Sequence, residues 1–404
     1  MASTAGAEGP RPPTGGVASL PPAAFQLQQN TRSAVLMDAA SGRVLWAKNP
    51  DQRQPIASVT KIMTMVLALE ALRDGTVSPN DPVVASEYAK SMGGTQIWLE
   101  VGESRPFQEL LTAVAVGSAN DAAVALAEHL AGSEEAFVQK MNERAKQLGL
   151  TDTLYGNPTG LPSESVGKLG VPQYSSALDV ARLSRYALTL PGFRDLVSTY
   201  EYTVRPEGLR QPVLYNFNTL LRRLPGVDGI KTGFTNEAGY CISVSALRDG
   251  LRLIAVVLGA PTRAERDTAV AALLNWGYRT FTAQRLVSKD TPWGDLPVWR
   301  GNPEKVAVVV GQDLSVTVPR GTKIEFETEA TVNQRLTAPV QAGQQVGKLT
   351  VHSGGEVVGE VPLVAKQPVR SASFWEMVGR GMRITLQGLY PPRTPRSRTT
   401  MVRF

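Results

Sequence analysis

The chain has 404 residues, of which 42 are Lys or Arg and 36 are Asp or Glu, so its formal net charge is +6. That excess lies in residues 370–404, which hold seven arginines and one acid, Glu376. The remaining body is neutral and has no basic face for phosphate groups, which argues against nucleic acid as a partner. A composition of 42% hydrophobic and 19% charged residues excludes a disordered chain and predicts two or three globular domains.

Cysteine and histidine are scarce. The single Cys241 cannot form an intrachain disulfide, and His129 and His352 leave little for a zinc site, so Cys241 and His129 are interpreted as structural. No apolar run approaches the ~18 residues that span a bilayer. Residues 1–29 are rich in Ala, Gly and Pro, and we expect a flexible leader without the pattern of a signal peptide.

The first structured segment is predicted to be a β-hairpin, because two β-rich runs flank a Ser-Gly turn at residues 41–42. Helices are predicted next at residues 58–72, 113–130, 133–148 and 177–190. Strands follow at 241–246 and 252–258, and a last helix at 264–278. The first helix is apolar nearly all round, as in a helix inside a domain. This order predicts an α/β (α+β) fold over residues 30–283, in which the first and last strands share one sheet flanked by a helical subdomain.

Beyond residue 283 the sequence changes to short β-type runs. We interpret the proline and glycine residues between 292 and 303 as a domain boundary. The runs are at residues 306–310, 314–318, 323–327, 349–351 and 357–361. Short strands separated by turn residues predict a small all-β domain over residues 284–367.

The last segment, residues 368–404, is predicted to attach the protein to a membrane. In residues 371–390 apolar side chains recur every three or four positions, with arginines on the opposite side. This pattern is typical of an amphipathic helix at a membrane interface, and the arginines that follow add attraction to anionic lipid. A helix docked on the protein's own β domain has the same periodicity and stays open as an alternative.

Three short motifs lie in order along the predicted α/β domain. The first, Ser58-Val59-Thr60-Lys61, places a hydroxyl and an amine three residues apart at a helix start, so that both lie on one face. Serine needs a base to attack a carbonyl, and a desolvated lysine near other cations has a pKa low enough to serve. Taken alone, the motif is explained more simply by a capping serine and a surface lysine.

The other two motifs supply polar groups for a substrate. Ser118-Ala119-Asn120 precedes a helix, and its hydroxyl and amide could relay a proton and bind a substrate amide. Lys231-Thr232-Gly233 lies on or beside a strand, where glycine lets a substrate backbone approach the strand edge. Each motif alone is explained as well by helix capping or by an ordinary strand-end lysine. The three motifs together favour a serine acyl-enzyme site.

With these motifs the chain resembles the low-molecular-mass penicillin-binding proteins, the D-alanyl-D-alanine carboxypeptidases. The resemblance covers residues 30–283 clearly and continues more loosely through the β domain to the tail. It is carried by the segments PIASVTKIMT (55–64), SANDAA (118–123), AKQLGL (145–150), VDGIKTG (227–233), AGY (238–240) and LNWGY (274–278). It implies the serine penicillin-recognising fold, followed by a small all-β domain and a C-terminal amphipathic helix.

The resemblance also implies a role for each motif residue. Ser58 attacks the penultimate D-alanine of a peptidoglycan stem peptide, Lys61 accepts its proton, and Ser118 passes a proton to the leaving D-alanine. The implied substrate-binding residues are Asn120, Lys231, Thr232, Gly233 and Phe234. Backbone amides of Ser58 and Phe234 form the oxyanion hole, β-lactams acylate Ser58, and no metal or organic cofactor is required.

The implied function is that of a serine-type D-Ala-D-Ala carboxypeptidase that trims peptidoglycan pentapeptides, binds penicillin and serves peptidoglycan remodelling and cell-shape maintenance. The implied location is the cell envelope, peripheral on the periplasmic face of the cytoplasmic membrane, with the C-terminal helix on anionic lipid. A β-lactamase-like hydrolase is one alternative, disfavoured because the chain has no Glu-x-x-Leu-Asn segment to position deacylating water. A catalytically weak penicillin-binding envelope protein is the other.

Two positions depart from the family pattern. Position 234 is Phe, where a polar residue often helps to hold the substrate. Some members bind the terminal carboxylate with an arginine in a Gly-Gly-Arg-Thr segment, where this chain has Gly259-Ala260-Pro261-Thr262. Arg263 or Arg266 is the candidate replacement, and the sequence leaves the choice open.

Overall fold

The computed structural model describes residues 30–162, 172–205, 211–333, 335–377 and 402–403. The chain divides into two compact units between Thr280 and Phe281. The predicted leader and most of the predicted C-terminal amphipathic helix lie outside the described residues.

The first unit combines short strands and helices around one larger sheet. Its described strands are β1 (Ser33–Asp38), β2 (Val44–Lys48), β3 (Pro82–Val84), β4 (Ser104–Pro106), β5 (Glu201–Thr203), β6 (Val213–Tyr215), β7 (Val227–Thr235), β8 (Gly239–Arg248) and β9 (Leu251–Ala260). Its described helices are α1 (Lys61–Arg73), α2 (Glu87–Lys90), α3 (Phe107–Val116), α4 (Asn120–Ala131), α5 (Glu134–Gln147), α6 (Ala177–Ala187), α7 (Phe193–Ser198), α8 (Leu220–Arg223) and α9 (Arg263–Thr280).

A five-stranded antiparallel sheet in the order β2-β1-β9-β8-β7 is the frame of this unit. β1 pairs with its hairpin partner β2 and with β9, so the first and last strands share one sheet, as predicted. Successive residues of β1 and β9 are buried, which requires cover on both faces of the sheet. Helices α6 and α9 pack on β9, and a side chain at Gly277 of α9 would clash with Leu253 and Leu36.

Helix α1 is buried along most of its length, as its apolar sequence predicts. It is preceded by one turn of 3-10 helix, Ala57–Thr60, so Ser58 lies in that turn and Lys61 is the first residue of α1. Neither helix start has a side-chain cap, so Ser58 is not the capping serine of the simpler interpretation.

The helix predicted over residues 113–130 is interrupted at residues 117–119, whereas the start of a helix after the second motif agrees with the prediction. Helix α3 ends at Val116, α4 begins at Asn120, and Ser118 between them has a φ of 56°. The N–H groups of Gly117 and Ala119 both donate to the carbonyl of Ala113, which closes the end of α3. The alanine-rich segments on both sides have high helix propensity, so the sequence pattern hides the corner.

The second unit is all-β, as predicted. Its described strands are β10 (Phe281–Val287), β11 (Pro292–Trp299), β12 (Gly301–Asn302), β13 (Lys305–Val310), β14 (Leu314–Pro319), β15 (Glu327–Val332), β16 (Leu336–Thr337), β17 (Gln345–Ser353), β18 (Glu356–Ala365), β19 (Arg370–Ser371) and β20 (Val402–Arg403). Seven of them form a sheet in the order β16-β11-β13-β18-β17-β15-β20, and β10 pairs with β14.

Two sequence interpretations of this unit are wrong. Residues 292–299 form strand β11 and not a linker. Only the last two residues of β11 pair with β16, so Pro292 and Pro297 lie where β11 has a single neighbour, β13. The predicted run 323–327 is not a strand before Glu327. The N–H and C=O of Ile324 bond instead to the side-chain amide of Gln284, at 3.0 and 3.2 Å.

The described part of the tail ends in the first turn of a helix, residues 374–377. Ser373 and Glu376 form a capping box: the Ser373 N–H donates to the Glu376 carboxylate at 2.7 Å, and the Glu376 N–H donates to Ser373 Oγ at 3.3 Å. Phe374 and Trp375 are exposed in this turn. Within the described residues, no helix combines the length and the apolar character needed to cross a membrane.

Candidate active site

The turn that carries Ser58 is held between β7 and a loop at residues 157–161. A Cβ at Gly233 of β7 would lie 2.8 Å from the carbonyl oxygen of Ile56 and 2.9 Å from the nitrogen of Ser58. A Cβ at Gly160, which has a φ of 77°, would lie 2.0 Å from the carbonyl oxygen of Ala57. Both contacts are with backbone atoms, so glycine is required on each side of the turn.

Lys61 is fully buried, and its Nζ has three oxygen neighbours. It lies 3.1 Å from Ser58 Oγ, 2.6 Å from Asn120 Oδ1 and 2.7 Å from the carbonyl oxygen of Thr159. Burial, reinforced by the positive charge of Lys231, lowers the pKa of Lys61 well below its ordinary value.

The lowered pKa of Lys61 favours its neutral form, and in that form the geometry leaves the lone pair of Nζ for Ser58. A neutral amine has two hydrogens and one lone pair. The amide oxygen of Asn120 and the carbonyl of Thr159 can only accept hydrogens, so they take the two that Lys61 offers. The lone pair is then left for Ser58, whose hydroxyl donates to Nζ. Such an arrangement can serve a serine nucleophile and its base.

The loop that supplies Thr159 was not found from the sequence. Asn157 Oδ1 accepts from the N–H and the hydroxyl of Thr159, at 3.0 and 2.8 Å, and from the N–H of Gly160, at 2.7 Å. Thr64 of α1 donates its hydroxyl to the carbonyl of Pro158 at 2.7 Å. Asn-Pro-Thr-Gly is a typical turn sequence. Nothing in it indicates that its carbonyl meets a lysine about a hundred residues earlier.

Asn120 holds the second motif against the first. Its Oδ1 accepts from Lys61, and its Nδ2 donates to the carbonyl of Gly93 at 2.7 Å. One hydrogen of the amide nitrogen is left for a substrate. The main chain of this corner is bound by Thr95, whose hydroxyl donates to the carbonyl of Ser118 and whose carbonyl accepts the N–H of Asn120, both at 2.7 Å.

Ser118 lies at the corner between α3 and α4. Its hydroxyl is buried and has no hydrogen-bond partner among the residues that the structure describes. An unpaired buried hydroxyl is costly unless a ligand or water completes it. The hydroxyl is therefore available to a reacting group.

Lys231 brings a second buried amine to this region. Its Nζ donates to the carbonyl of Thr232 at 3.2 Å, the single partner recorded for it within the described chain. Burial, with the positive charge of Arg266 as a smaller cause, lowers the pKa of Lys231 to about 7. Lys231 in turn disfavours the charged form of Lys61, as noted above.

The two candidate replacements for the missing arginine differ in environment. Arg266 is buried and paired with Asp267, at 2.7 Å between Nη2 and Oδ1. Arg263 is exposed and donates to the carbonyl of Phe217 at 3.2 Å. Arg266 contributes to the lowered pKa of Lys231, and its ion pair with Asp267 offsets part of its charge.

Phe234 follows Gly233 on β7 and is 51% exposed. Its ring packs against Tyr240, its partner on β8, with centroids 4.3 Å apart. The residue therefore presents an exposed aromatic side chain next to Gly233, where the family pattern often has a polar one.

Other residues of the sequence analysis take no part in this site. Cys241 is buried in β8, and His129 is exposed and packs against Phe107, with ring centroids 5.9 Å apart. Within the described residues, no three or more His, Cys, Asp or Glu side chains group as metal ligands would.

Comparison with known proteins now places the chain. A family profile described as D-alanyl-D-alanine carboxypeptidase matches residues 21–262. The chain belongs to the D-alanyl-D-alanine carboxypeptidase family. A second profile, described as the C-terminal domain of penicillin-binding protein 5, matches residues 281–371, which lie within the all-β unit.

Curated carboxypeptidases match nearly the whole chain. D-alanyl-D-alanine carboxypeptidase DacF of Bacillus subtilis is 38% identical over 88% of this chain and 90% of its own length. DacC of Escherichia coli is 34% identical over 88% of this chain and 90% of its own length. The carboxypeptidase is therefore a serine hydrolase of peptidoglycan metabolism, which confirms the predicted family and enzyme class.

Solved structures agree with the fold. Penicillin-binding protein 5 from Haemophilus influenzae is 32% identical, with a TM-score of 0.65 over 86% of this chain and 100% of that one. A peptidoglycan synthesis regulatory factor, penicillin-binding protein 3 of Streptococcus pneumoniae, is 28% identical, with a TM-score of 0.70 over 85% and 100%. The predicted fold class, an α/β domain followed by an all-β domain, is confirmed.

Proposed function

We propose that this carboxypeptidase removes the C-terminal D-alanine from peptidoglycan pentapeptides through an acyl-enzyme at Ser58. The observation that carries the assignment is the buried Lys61 amine, 3.1 Å from Ser58 Oγ, with both other neighbours able only to accept hydrogens. A base aligned in this way takes the serine proton as the oxygen attacks the carbonyl of the penultimate D-alanine.

The remaining proton goes to the leaving group. When the bond to the terminal D-alanine breaks, its nitrogen takes a hydrogen from the unpaired hydroxyl of Ser118, which in turn takes the proton that Lys61 received from Ser58. Water then attacks the acyl-enzyme, the trimmed peptide leaves with a new carboxylate, and Ser58 regains its proton. Backbone N–H groups of Ser58 and Phe234 donate hydrogen bonds to the oxyanion that develops on the attacked carbonyl.

The third motif orients the substrate. Lys231 and Thr232 bind the terminal carboxylate, and the buried Arg266 adds positive potential from behind Lys231. Gly233 lets the turn of Ser58 lie against β7, beside the strand edge along which the substrate backbone runs. Asn120 donates its remaining amide hydrogen to the peptide on the opposite side. β-Lactams acylate the same serine and act as covalent inhibitors.

The proposed location is the periplasmic face of the cytoplasmic membrane. Support comes from the tail, where seven arginines and one acid follow residue 369, and from the exposed Phe374 and Trp375 at the start of its helical turn. Aromatic and cationic side chains together are typical of a segment that binds an anionic membrane surface.

The decisive experiment measures D-alanine release from diacetyl-Lys-D-Ala-D-Ala by the full chain. Wild type is expected to release D-alanine, and Ser58→Ala to lower the rate at least about 1,000-fold. Ser198→Ala, at an exposed serine outside the site, is the matched control and should behave as wild type. Absence of release by wild type, or undiminished release by Ser58→Ala, would contradict the proposal.

A further inference from the structure

A buried carboxylate beside the site has no role in the proposed reaction. Asp121 is the second residue of α4 and is 1% exposed. Its Oδ2 accepts from the N–H groups of Ile97 and Leu99, both at 3.1 Å, and its Oδ1 accepts from the N–H of Ala122 at 2.9 Å. An ionised carboxylate can only accept hydrogen bonds, and these main-chain groups supply them. Asp121 therefore binds the start of α4 to the loop of residues 93–99, which we call the orienting loop.

The orienting loop determines which way the amide of Asn120 points. The carbonyl of Gly93 can only accept hydrogens, so it contacts Nδ2 of Asn120, at 2.7 Å. The oxygen of the amide is thereby turned toward Lys61, at 2.6 Å. An amide turned the other way would present N–H groups to Lys61 and would remove one of the two acceptors that leave its lone pair for Ser58.

The orienting loop is bound on its other side by Arg205. The guanidinium of Arg205 donates to the carbonyls of Ile97 and Trp98, at 2.9 and 3.3 Å, and to the carboxylate of Glu103 at 2.6 Å. Trp98 has a φ of 57°, a left-handed conformation that is costly for a bulky residue, and its side chain is 63% exposed. Because packing of this side chain contributes little, the hydrogen bonds to Asp121 and Arg205 hold the loop in its shape.

We propose that Asp121 is a positioning residue: its carboxylate holds the orienting loop, and the loop holds the amide oxygen of Asn120 toward Lys61. The inference rests on the proposed function, in which Lys61 is the base. Within the part of the chain that the structure describes, no hydrogen bond joins Asp121 to Ser58 or Lys61. The effect of Asp121 on the geometry of the base therefore passes through the loop and Asn120.

The charge of Asp121 predicts the opposite effect on the base. Lys231 of β7 lowers the pKa of Lys61, whereas Asp121 raises it. Removing the charge alone would leave more of the amine neutral at low pH and would speed acylation there. Asp121→Asn removes the charge with little change in size. A loss of rate in this variant would therefore report on geometry.

Acylation of the full-length protein by a fluorescent penicillin, measured from pH 5 to pH 9, tests the inference. We expect Asp121→Asn to slow acylation about 10- to 100-fold, because a small misplacement of a catalytic group has an effect of that size. Asp179→Asn is the matched control and should be acylated as fast as wild type. Asp179 is also 1% exposed in the first turn of a helix, α6, and accepts from a main-chain N–H, that of Asp152, at 2.7 Å.

A double-mutant cycle separates positioning from a general loss of structure. If Asp121 acts through Asn120, Asp121→Asn should slow acylation by less than about threefold once Asn120→Ala has removed the amide. Arg205→Gln, on the other side of the orienting loop, should show a smaller loss that disappears in the same background. Where Asp121→Asn does not fold, as thermal unfolding would show, the cycle with Arg205→Gln decides alone.

The outcomes separate this inference from the proposed function. Wild-type or faster acylation of Asp121→Asn, or losses that multiply with that of Asn120→Ala, overturn the inference whatever the D-alanine assay shows. A slowing that disappears with Asn120→Ala supports it. The same slowing in a protein that releases no D-alanine would show that the proposed hydrolysis alone is wrong, because acylation by penicillin does not require hydrolysis.

Discussion

The two buried lysines of the site lie in opposite environments. The amine of Lys61, at the start of α1, has three oxygen neighbours, the hydroxyl of Ser58, the side-chain amide of Asn120 and the carbonyl of Thr159. The amine of Lys231, on β7, has one carbonyl neighbour within the described chain and a buried arginine nearby. The difference indicates that Lys61 is organised before substrate arrives, whereas Lys231 is left incomplete until an anion binds.

Removing the amine of Lys61 should have the largest effect on the rate of acylation. Lys61→Ala deletes the base, and we expect acylation of Ser58 by a fluorescent penicillin to slow by about 1,000-fold. Lys140→Ala, at an exposed lysine of α5, is the matched control. Acylation by Lys61→Ala within tenfold of wild type would mean that another group takes the serine proton.

The loop that orders Lys61 can be tested through Gly160. Gly160→Ala puts a Cβ 2.0 Å from the Ala57 carbonyl oxygen, so we expect it to destabilise the protein by about 3 kcal/mol or more and to slow acylation. Gly149→Ala is the control, because Gly149 has a similar φ of 70° but open space around it.

The Gly149 control should cost about 1 kcal/mol and leave acylation unchanged. Urea unfolding followed by fluorescence measures both variants. Equal losses for the two would show that the left-handed backbone, and not the contact with the turn of Ser58, accounts for the effect.

The amine of Lys231 should titrate in the neutral range. The pKa of Lys231 is lowered to about 7, so its charge is present below that pH and is lost above it. Affinity for a substrate carboxylate should therefore fall as pH rises through 7, and kcat/KM with it. Arg266→Gln removes the neighbouring positive charge, so the descending limb should move to higher pH. A limb that stays in place would exclude Arg266 as a cause.

The lowered pKa of Lys231 also means that this residue destabilises the folded protein. In the unfolded chain its pKa is near 10.4, so between pH 7 and 10 the unfolded state binds the extra proton and stability rises with pH. Lys231→Met should remove this dependence and raise the Tm at pH 6 by several degrees while reducing activity. Thermal unfolding at pH 6 and pH 9 measures it, and a lower Tm for the variant at pH 6 would contradict the argument.

The smallest effect is expected at Phe234. Phe234→Thr restores a polar side chain beside the turn of Ser58 but breaks the packing with Tyr240. We expect KM for diacetyl-Lys-D-Ala-D-Ala to change by about threefold or less, because the two effects oppose each other. Steady-state kinetics measure it, and a rise in kcat of tenfold or more would instead show that Phe234 limits the chemistry.

The motif spacing predicted that Ser58 and Lys61 lie together, but it did not predict which residues hold Lys61 in place. Ser58 and Lys61 are one helical turn apart, so local geometry brings them together. The partners of Lys61 on the other side, Asn120 and Thr159, depend on how distant loops close, which no local period reports. The hidden corner at Ser118 has the same cause, since alanine favours helix on both sides of it.

The fold was easier to predict where an element has a continuous apolar sequence. The hairpin of β1 and β2 and the buried α1 follow from their patterns. β11 was not predicted, because its prolines were interpreted as a domain boundary. A strand with one unpaired edge can accommodate prolines, and β11 has such an edge at both of its prolines. The strand predicted at 323–327 failed for the opposite reason, since a side-chain amide took the hydrogen bonds that a neighbouring strand would have made.

The break between α3 and α4 has an electrostatic consequence. A continuous helix would place no helix end in the site, whereas α4 begins at Asn120, whose side chain touches Lys61. The N-terminus of a helix carries a partial positive charge from its unpaired N–H groups. That field opposes protonation of Lys61, whereas the carboxylate of Asp121 in the same first turn favours it. The break between α3 and α4 thus places two opposing electrostatic influences beside the amine of Lys61: the N-terminus of α4 and the carboxylate of Asp121.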